Sequence, residues 1–310
     1  MAEERARSDI ERAFPGLVVR EIVFLGAGMD SDAYLVNGEW VFRFPRRAEV
    51  ARALGREIAI LPRLAPRLPV AVPCFAYVGR QASTGLLLAG YRFIPGEPLT
   101  PGLFHSLAPR DQERVLATLA TVLRSVHDFP VAEAAALGVE ALSTREWVEE
   151  SWSRGRTAVL PLLAPRDREA LARLIERFLS DARNFAYPSC LLYADFAPEH
   201  VLYDLANRSI AGIIDWGDLT IGDPDYDLLY LYQDYGERFI RRLLRHHPHP
   251  DPRLLMAKLR VFNACDYLRT IVALRSDPRE AHVVREAVES RRASLRGGDG
   301  RPPRQWPRDP

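Results

Sequence analysis

The stretch CLLYADFAPEHVLYD, Cys190–Asp204, followed after the turn LANRS by IAGIIDWGD, Ile210–Asp218, decides how this chain is read. HVLYD and IAGIID are apolar, strand-like runs, and the polar turn between them predicts an antiparallel hairpin. With the turn centred between Asn207 and Arg208, Val201 faces Ile214 and His200 faces Asp215. Residues directly opposite in such a ladder have Cβ atoms roughly 4.5–5.5 Å apart, so an imidazole and a carboxylate meet at the open end of the hairpin. Asp195 hangs in the loop entering that same end.

A carboxylate with a second donor on a rigid hairpin can hold a divalent ion, while a carboxylate one loop away stays free to orient or deprotonate an attacking group. Taken singly, Asp195 as a turn cap, His200 as a polar strand end and Asp215 as a loop cap would be ordinary structural residues. The three in register, with DWGD following at once, point to chemistry.

Working outward, the chain has 310 residues, 47% hydrophobic and 27% charged, enough to bury a full core in one large or two modest units. Its 42 basic and 41 acidic side chains leave a formal charge of +1, which excludes bulk attraction to nucleic acid or to an anionic membrane. Lys258 is the only lysine. Anywhere else a mechanism needs a cation, arginine must serve, with a planar fork that stays charged. Cys74, Cys190 and Cys265 are far apart and odd in number, so buried thiols in a reducing cytosol are expected. MAEERARSDIERAF lacks an apolar leader core, no run reaches membrane-span length, and a cytoplasmic location is expected.

Arg5–Phe14 reads as a helix stopped by Pro15-Gly16, after which LVVREIVFLGAG alternates as a strand and ends in glycines. In DAYLVNGEWVFRFP the Asn37-Gly38 step predicts a tight hairpin, because a type I′ turn needs positive φ at both central residues. A helix over Arg47–Leu64 follows, then strands in CFAYVG and GLLLAGYRFI, then the linker PGEPLTPG. This places a lobe boundary near Ile94: residues 1–94 form one lobe, 95–294 a second, and 295–310, which carry no apolar face, a disordered tail. Helices are expected over Asp111–His127, Asp167–Leu179, Asp227–Leu244 and Pro252–Leu274. Ala141–Trp152 supports no more than a short one, and no internal repeat is visible.

The two catalytic segments match a known spacing. In protein-kinase-like enzymes a catalytic-loop Asp is followed five residues later by a magnesium ligand, and a second Asp after the next hairpin binds magnesium. YADFAPEHVLYD with GIIDWGDLTIGDPDYDLLYL resembles the aminoglycoside phosphotransferase family, and within it the 2″-phosphotransferase branch, where histidine often replaces that asparagine. The resemblance extends from FLGAGMDSDAYLV through VFRFPR and YRFIPG to the catalytic segments.

It implies an α+β, bilobal, protein-kinase-like fold, with an antiparallel N-terminal sheet bearing one main helix and a mostly helical C-terminal lobe containing the catalytic hairpin. Asp195 would be the catalytic residue, and His200 and Asp215 the magnesium ligands. Gly26, Gly28 and Ser31 would approach the phosphates of ATP or GTP. Arg43 stands where the family has a lysine, with Glu57 as its helix partner, on the polar side of that helix. Arg92, Phe93 and Ile94 mark the hinge, whose backbone reads the nucleobase. Tyr193 replaces the family's histidine before the catalytic Asp, and Asp223 or Asp227 would brace the catalytic loop by accepting backbone N–H groups. Asp234, Glu237 and Asp266, with Tyr235 and Tyr267 as walls, would receive a cationic acceptor.

The resemblance thus implies magnesium-dependent transfer of a γ-phosphoryl group to a hydroxyl of an aminoglycoside, by a monomer or weak dimer that uses neither nucleic acid nor membrane. A same-fold kinase of another amino sugar, polyol, macrolide or metabolite is the nearest alternative, and a nucleotide-binding pseudokinase the next. His246, His247 and His249 lie in a proline-broken run that reads as a solvated loop.

Overall fold

The computed structural model describes residues 2–27 and 31–275. The expected positions Gly28 and 295–310 lie outside them. Its first part runs α1 (Ala2–Ala13), β1 (Ile22–Ala27), β2 (Ser31–Val36), β3 (Trp40–Pro45), α2 (Ala48–Leu64), β4 (Phe75–Arg80), β5 (Leu87–Arg92) and β6 (Glu97–Pro98). The second part runs α3 (Pro101–Ser106), α4 (Pro109–His127), α5 (Val131–Ala136), α6 (Thr144–Ala158), α7 (Pro165–Ser180), β7 (Cys190–Leu192), β8 (Val201–Asp204), β9 (Ser209–Ile213), β10 (Thr220–Gly222), α8 (Leu229–Leu243) and α9 (Pro252–Arg275). The expected α+β arrangement is present, with the large sheet first and the helices after it.

The sheet is antiparallel in the order β1-β2-β3-β5-β4. Asn37 and Gly38 take φ values of 55° and 67°, as the hairpin reading requires. Asn37 is suited to the corner for a second reason: its Oδ1 accepts the N–H groups of Arg20 and Glu21, and its Nδ2 donates to the Val18 carbonyl. One sheet face buries Tyr34, Val36, Phe42, Phe44 and Leu88 against Ala6 and Ile10 of α1. At Gly90 a Cβ would sit 2.6 Å from the Phe42 ring, so only glycine lets that ring lie flat on the sheet. The larger core joins α2, α4 and α6–α9 through residues such as Leu61, Leu119, Val148, Ile175 and Phe262.

Several expectations are corrected. The β8–β9 ladder pairs Val201 with Ile213 and Asp204 with Ser209, one or two residues from the predicted register. The turn closes earlier because Asp204 Oδ1 accepts the N–H groups of Ala206 and Asn207, and an irregularity between Leu202 and Tyr203 restores one residue. Residues 141–152 hold more than a short helix. Ser143 caps α6 by accepting the Glu146 N–H, an S-x-x-E signature, and Gly155 lets Leu268 of α9 approach where a Cβ would be 2.8 Å away. The expected helix from Asp227 begins instead as a 3-10 turn, Pro224–Leu228, and α8 is broken at Gly236, where φ is 81° and ψ 174°. Cys265 is buried, but Cys74 is exposed, on the outward parity of the run that enters β4. Among the described residues no helix is long and apolar enough to cross a membrane.

Candidate active site

β7 delivers the chain into the loop that carries Asp195, and the turn after it is held from below. Ala194 sits at φ 67°, a conformation that costs a non-glycine residue about 1–2 kcal/mol. Asp227 stabilises it by accepting the Ala194 N–H at 2.6 Å through Oδ1 and the Tyr193 N–H at 3.3 Å through Oδ2. His127, at the end of α4, places Nε2 2.9 Å from Asp227 Oδ2. Asp227 is therefore the brace. Asp223 instead caps the 3-10 turn by accepting the Asp225 N–H, and it pairs with the buried Lys258 at 2.6 Å.

The turn aims Asp195 at His200, whose Nδ1 lies 3.0 Å from Asp195 Oδ2. His200 Nε2 is 3.7 Å from Asp215 Oδ2. The trio therefore meets, although by a route other than the predicted register: His200 ends a 3-10 turn, Pro198–His200, and Asp215 sits at φ 59° just past β9. Burial works to lower the His200 pKa, but the hydrogen bond and charge of Asp195 and the charge of Asp215 outweigh it and push it up to about 9. Burial likewise opposes ionisation of Asp215, yet Arg43 and His200 hold its carboxyl below the usual carboxylate range.

Arg43 reaches into the same site from β3. Its Nη1 donates to Glu57 Oε2 and its Nη2 to Asp215 Oδ1, both at 2.8 Å. Glu57 faces inward from α2 and is fully buried, which corrects its assignment to the polar side of the helix. That burial pushes its carboxyl up to about 7, against the pull of Arg43. Gly26 lies at a register shift in the β1–β2 ladder, and Ser31 Oγ is buried without a hydrogen-bond partner among the described residues. Arg92 turns outward onto Glu39 and the Trp40 ring. The Phe93 N–H is taken by the Glu39 carbonyl, and Ile94 is buried against Gly212.

The acceptor-side expectations separate. Asp234 carries a carboxyl raised to about 6 by burial and by the charges of Asp195 and Asp266. Asp218 is raised to about 6 by burial and by the charges of Asp195 and Asp215. Both feel the charge of Asp195, and a cation beside it would relieve them. Asp266 shares the cluster while accepting a hydrogen bond from Gln233 Nε2 at 2.9 Å. Glu237 is a correction: Arg241 and Arg260 already neutralise it, at 2.5 and 3.2 Å. Tyr235 is another, since it is buried, stacks on Phe239 and donates its hydroxyl to the Leu99 carbonyl. Tyr267 is also buried, 5% exposed, so neither tyrosine forms an open wall.

Tyr230 was missed. Burial raises its pKa, and the carboxylates of Asp266, Asp195 and Asp218 add to the rise. Its spacing of four residues from Tyr226 and from Asp234 was the available signal. The histidine loop is not solvated as expected: His246 meets Glu113, His247 packs edge-on to His127, and His249 pairs with Asp225.

The donor set suits a nucleotide and magnesium. Magnesium is usually held by one or two carboxylates, with phosphates and waters completing the shell. Asp215, with its side chain 42% exposed, offers such a carboxylate. The unpartnered Ser31 Oγ suits a phosphate oxygen.

A profile of the APH phosphotransferase enzyme family matches residues 21–255. The chain belongs to this family. The phosphotransferase is 31% identical to the chain in the GDP and kanamycin complex of APH(2″)-IIia, with a TM-score of 0.86 over 91% of this chain and 95% of that one. The GDP complex of wild-type aminoglycoside 2′-phosphotransferase-IIIa gives 29% identity and a TM-score of 0.89, over 94% and 99%. Viomycin phosphotransferase of Streptomyces vinaceus is 29% identical over 205 residues, 65% of this chain and 66% of that relative, just under two thirds of its length. The kinase-like fold and the phosphotransferase class follow from these likenesses.

Proposed function

We propose that this phosphotransferase moves the γ-phosphoryl of ATP or GTP to a hydroxyl of a cationic small molecule, an aminoglycoside of the 2″ type. The observation that supports this most is the chain of contacts that brings four groups together: Asp195 to His200 at 3.0 Å, His200 to Asp215 at 3.7 Å and Asp215 to Arg43 at 2.8 Å. Phosphoryl transfer needs positioning and charge stabilisation more than covalent chemistry from the protein, and this set supplies both.

Asp195 Oδ accepts the proton of the acceptor hydroxyl as its oxygen bonds to the γ-phosphorus, and the bond from that phosphorus to the bridging oxygen breaks, leaving the diphosphate. Arg43, anchored by Glu57, extends a donor to the phosphates. Gly26 and Ser31 give the phosphates close backbone approach and a hydroxyl. Asp215 would hold magnesium, and His200, protonated between the two carboxylates in the free site, would have to release its proton to join it as a ligand; the ion would supply neutralisation of phosphate charge when bound. Asp234, Asp266 and Asp218 attract the ammonium groups of the acceptor toward Asp195, with Tyr230 among them.

A second acceptor, viomycin, is favoured by the likeness to viomycin phosphotransferase. A mass-spectrometric screen of aminoglycosides and viomycin with ATP or GTP tests both readings. The expected result is a gain of one phosphate on an aminoglycoside. No gain on any member, with either nucleotide, overturns the proposal.

A further inference from the structure

We infer that Tyr193 is a positioning residue that sets the spacing between Asp195 and Asp215, the proton-accepting and the metal-holding carboxylates of the proposed reaction. The inference rests on that reading of the site. Tyr193 lies two residues before Asp195 and is fully buried. Its phenol donates to the carbonyl of Ile214, the residue immediately before Asp215.

Each end of this cross-member meets backbone that needs holding. At one end Tyr193 and Ala194 give their N–H groups to Asp227, and Ala194 carries Asp195 out of the left-handed turn at φ 67°. At the other end the Ile214 N–H donates to the His200 carbonyl at 3.0 Å while its own carbonyl takes the phenol. Asp215 then leaves at φ 59°. Three segments that bear site residues therefore tie to one another through Ile214, and the phenol bonds the backbone of the Asp215 turn directly, beside the side-chain contacts that His200 makes with Asp195 and Asp215.

The ring itself is fixed in rotation. It packs on Trp216 with centroids 4.6 Å apart at 65° and on Phe196 at 4.5 Å and 59°. Trp216 is locked in turn, donating Nε1 to the Ile213 carbonyl at 2.9 Å. A phenol flanked by two aromatic rings and bonded at its tip can transmit the position of one loop to the other. Misplacement of a reacting group by about 1 Å can cost on the order of a hundred-fold in rate, so a loosened tie shows in turnover before it shows in binding.

The test removes the hydroxyl and keeps the ring. Tyr193→Phe should lower kcat by at least about ten-fold, with nucleotide Kd and acceptor KM within about two-fold of wild type and a cooperative thermal melt retained. Tyr193→His, which restores a donor at that position, should recover most of the lost kcat. A Tyr193→Phe enzyme with kcat within about two-fold of wild type overturns the inference, as does a loss that appears equally in nucleotide affinity and is not rescued by histidine. Should Tyr193→Phe fail to fold, Tyr193→His decides alone: kcat near wild type supports the tie, and a drop beyond about ten-fold overturns it. Wild-type transfer measured alongside separates this outcome from failure of the proposed function, because an inactive wild type refutes the reaction and leaves the variants without a rate to compare.

Discussion

Replacing Glu57 by Gln should remove a specific part of the protein's pH dependence. Glu57 is fully buried, with Oε2 on Arg43 and Oε1 without a hydrogen-bond partner among the described residues. Burial raises its carboxyl from an ordinary 4.5 to about 7. The folded protein therefore binds this proton more tightly than the unfolded chain does. The associated stability is full below the unfolded value and is lost as pH rises through the folded one. The gap corresponds to about 3 kcal/mol, of which about 2.5 is lost between about pH 5 and about pH 8. Glutamine has the same shape and does not titrate. Urea unfolding of wild type and Glu57→Gln at both pH values cancels in the difference the titrating groups that do not sense Glu57. The wild type should lose about 2.5 kcal/mol relative to the variant over that interval. A difference that stays constant to within about 0.5 kcal/mol, or one that moves the other way, refutes the argument that Glu57 is desolvated beyond what Arg43 offsets.

Two further outcomes follow from the same geometry. The carboxyls of Asp218 and Asp234 are raised to about 6, and they are charged above that value, so KM for a cationic acceptor should fall as pH rises through about 6. Asp234→Asn should raise KM several-fold above that pH and flatten the profile, and an unchanged profile would remove Asp234 from the acceptor site. Because Lys258 is the sole lysine and is buried between Asp223 and Asp225, an amine-reactive nucleotide acyl phosphate should leave the wild-type side chains unlabelled, whereas Arg43→Lys should gain one nucleotide-protected label, read by peptide mass spectrometry. No label on that variant would place Arg43 outside the nucleotide site.

The meeting of Asp195, His200 and Asp215 was legible because a hairpin is local in sequence, but the ladder lies one or two residues from the register that the turn predicts. A side-chain-capped turn at Asp204 and an irregularity after Leu202 shift the ladder, and the backbone at His200 and Asp215 then turns so that the same side chains converge. Such compensation is tertiary and leaves no period in the sequence. The hairpin at Asn37-Gly38 was legible because two positive φ values leave few residue choices.

The acceptor side was harder. Helical phase through Asp234, Tyr235 and Glu237 assumes an unbroken α8, and Gly236 breaks it between Tyr235 and Glu237. Glu237 then meets Arg241 four residues on and Arg260 from α9, pairings that composition does not reveal. α6 is longer than its sequence suggests because its buried face uses Thr144, Ser151 and Gly155 beside Trp147 and Val148, small residues that do not look apolar, and Gly155 lets Leu268 of α9 come close. The histidine loop looked solvated for the converse reason: its partners Glu113, His127 and Asp225 are distant in sequence.

The most direct test of the central claim compares phosphate transfer to kanamycin by wild type and by Asp195→Asn, with nucleotide affinity measured on both. If Asp195 accepts the proton of the attacking hydroxyl, the variant should bind nucleotide within about two-fold of wild type and lose at least about a hundred-fold in kcat. An Asp195→Asn protein that transfers phosphate at the wild-type rate would contradict the account.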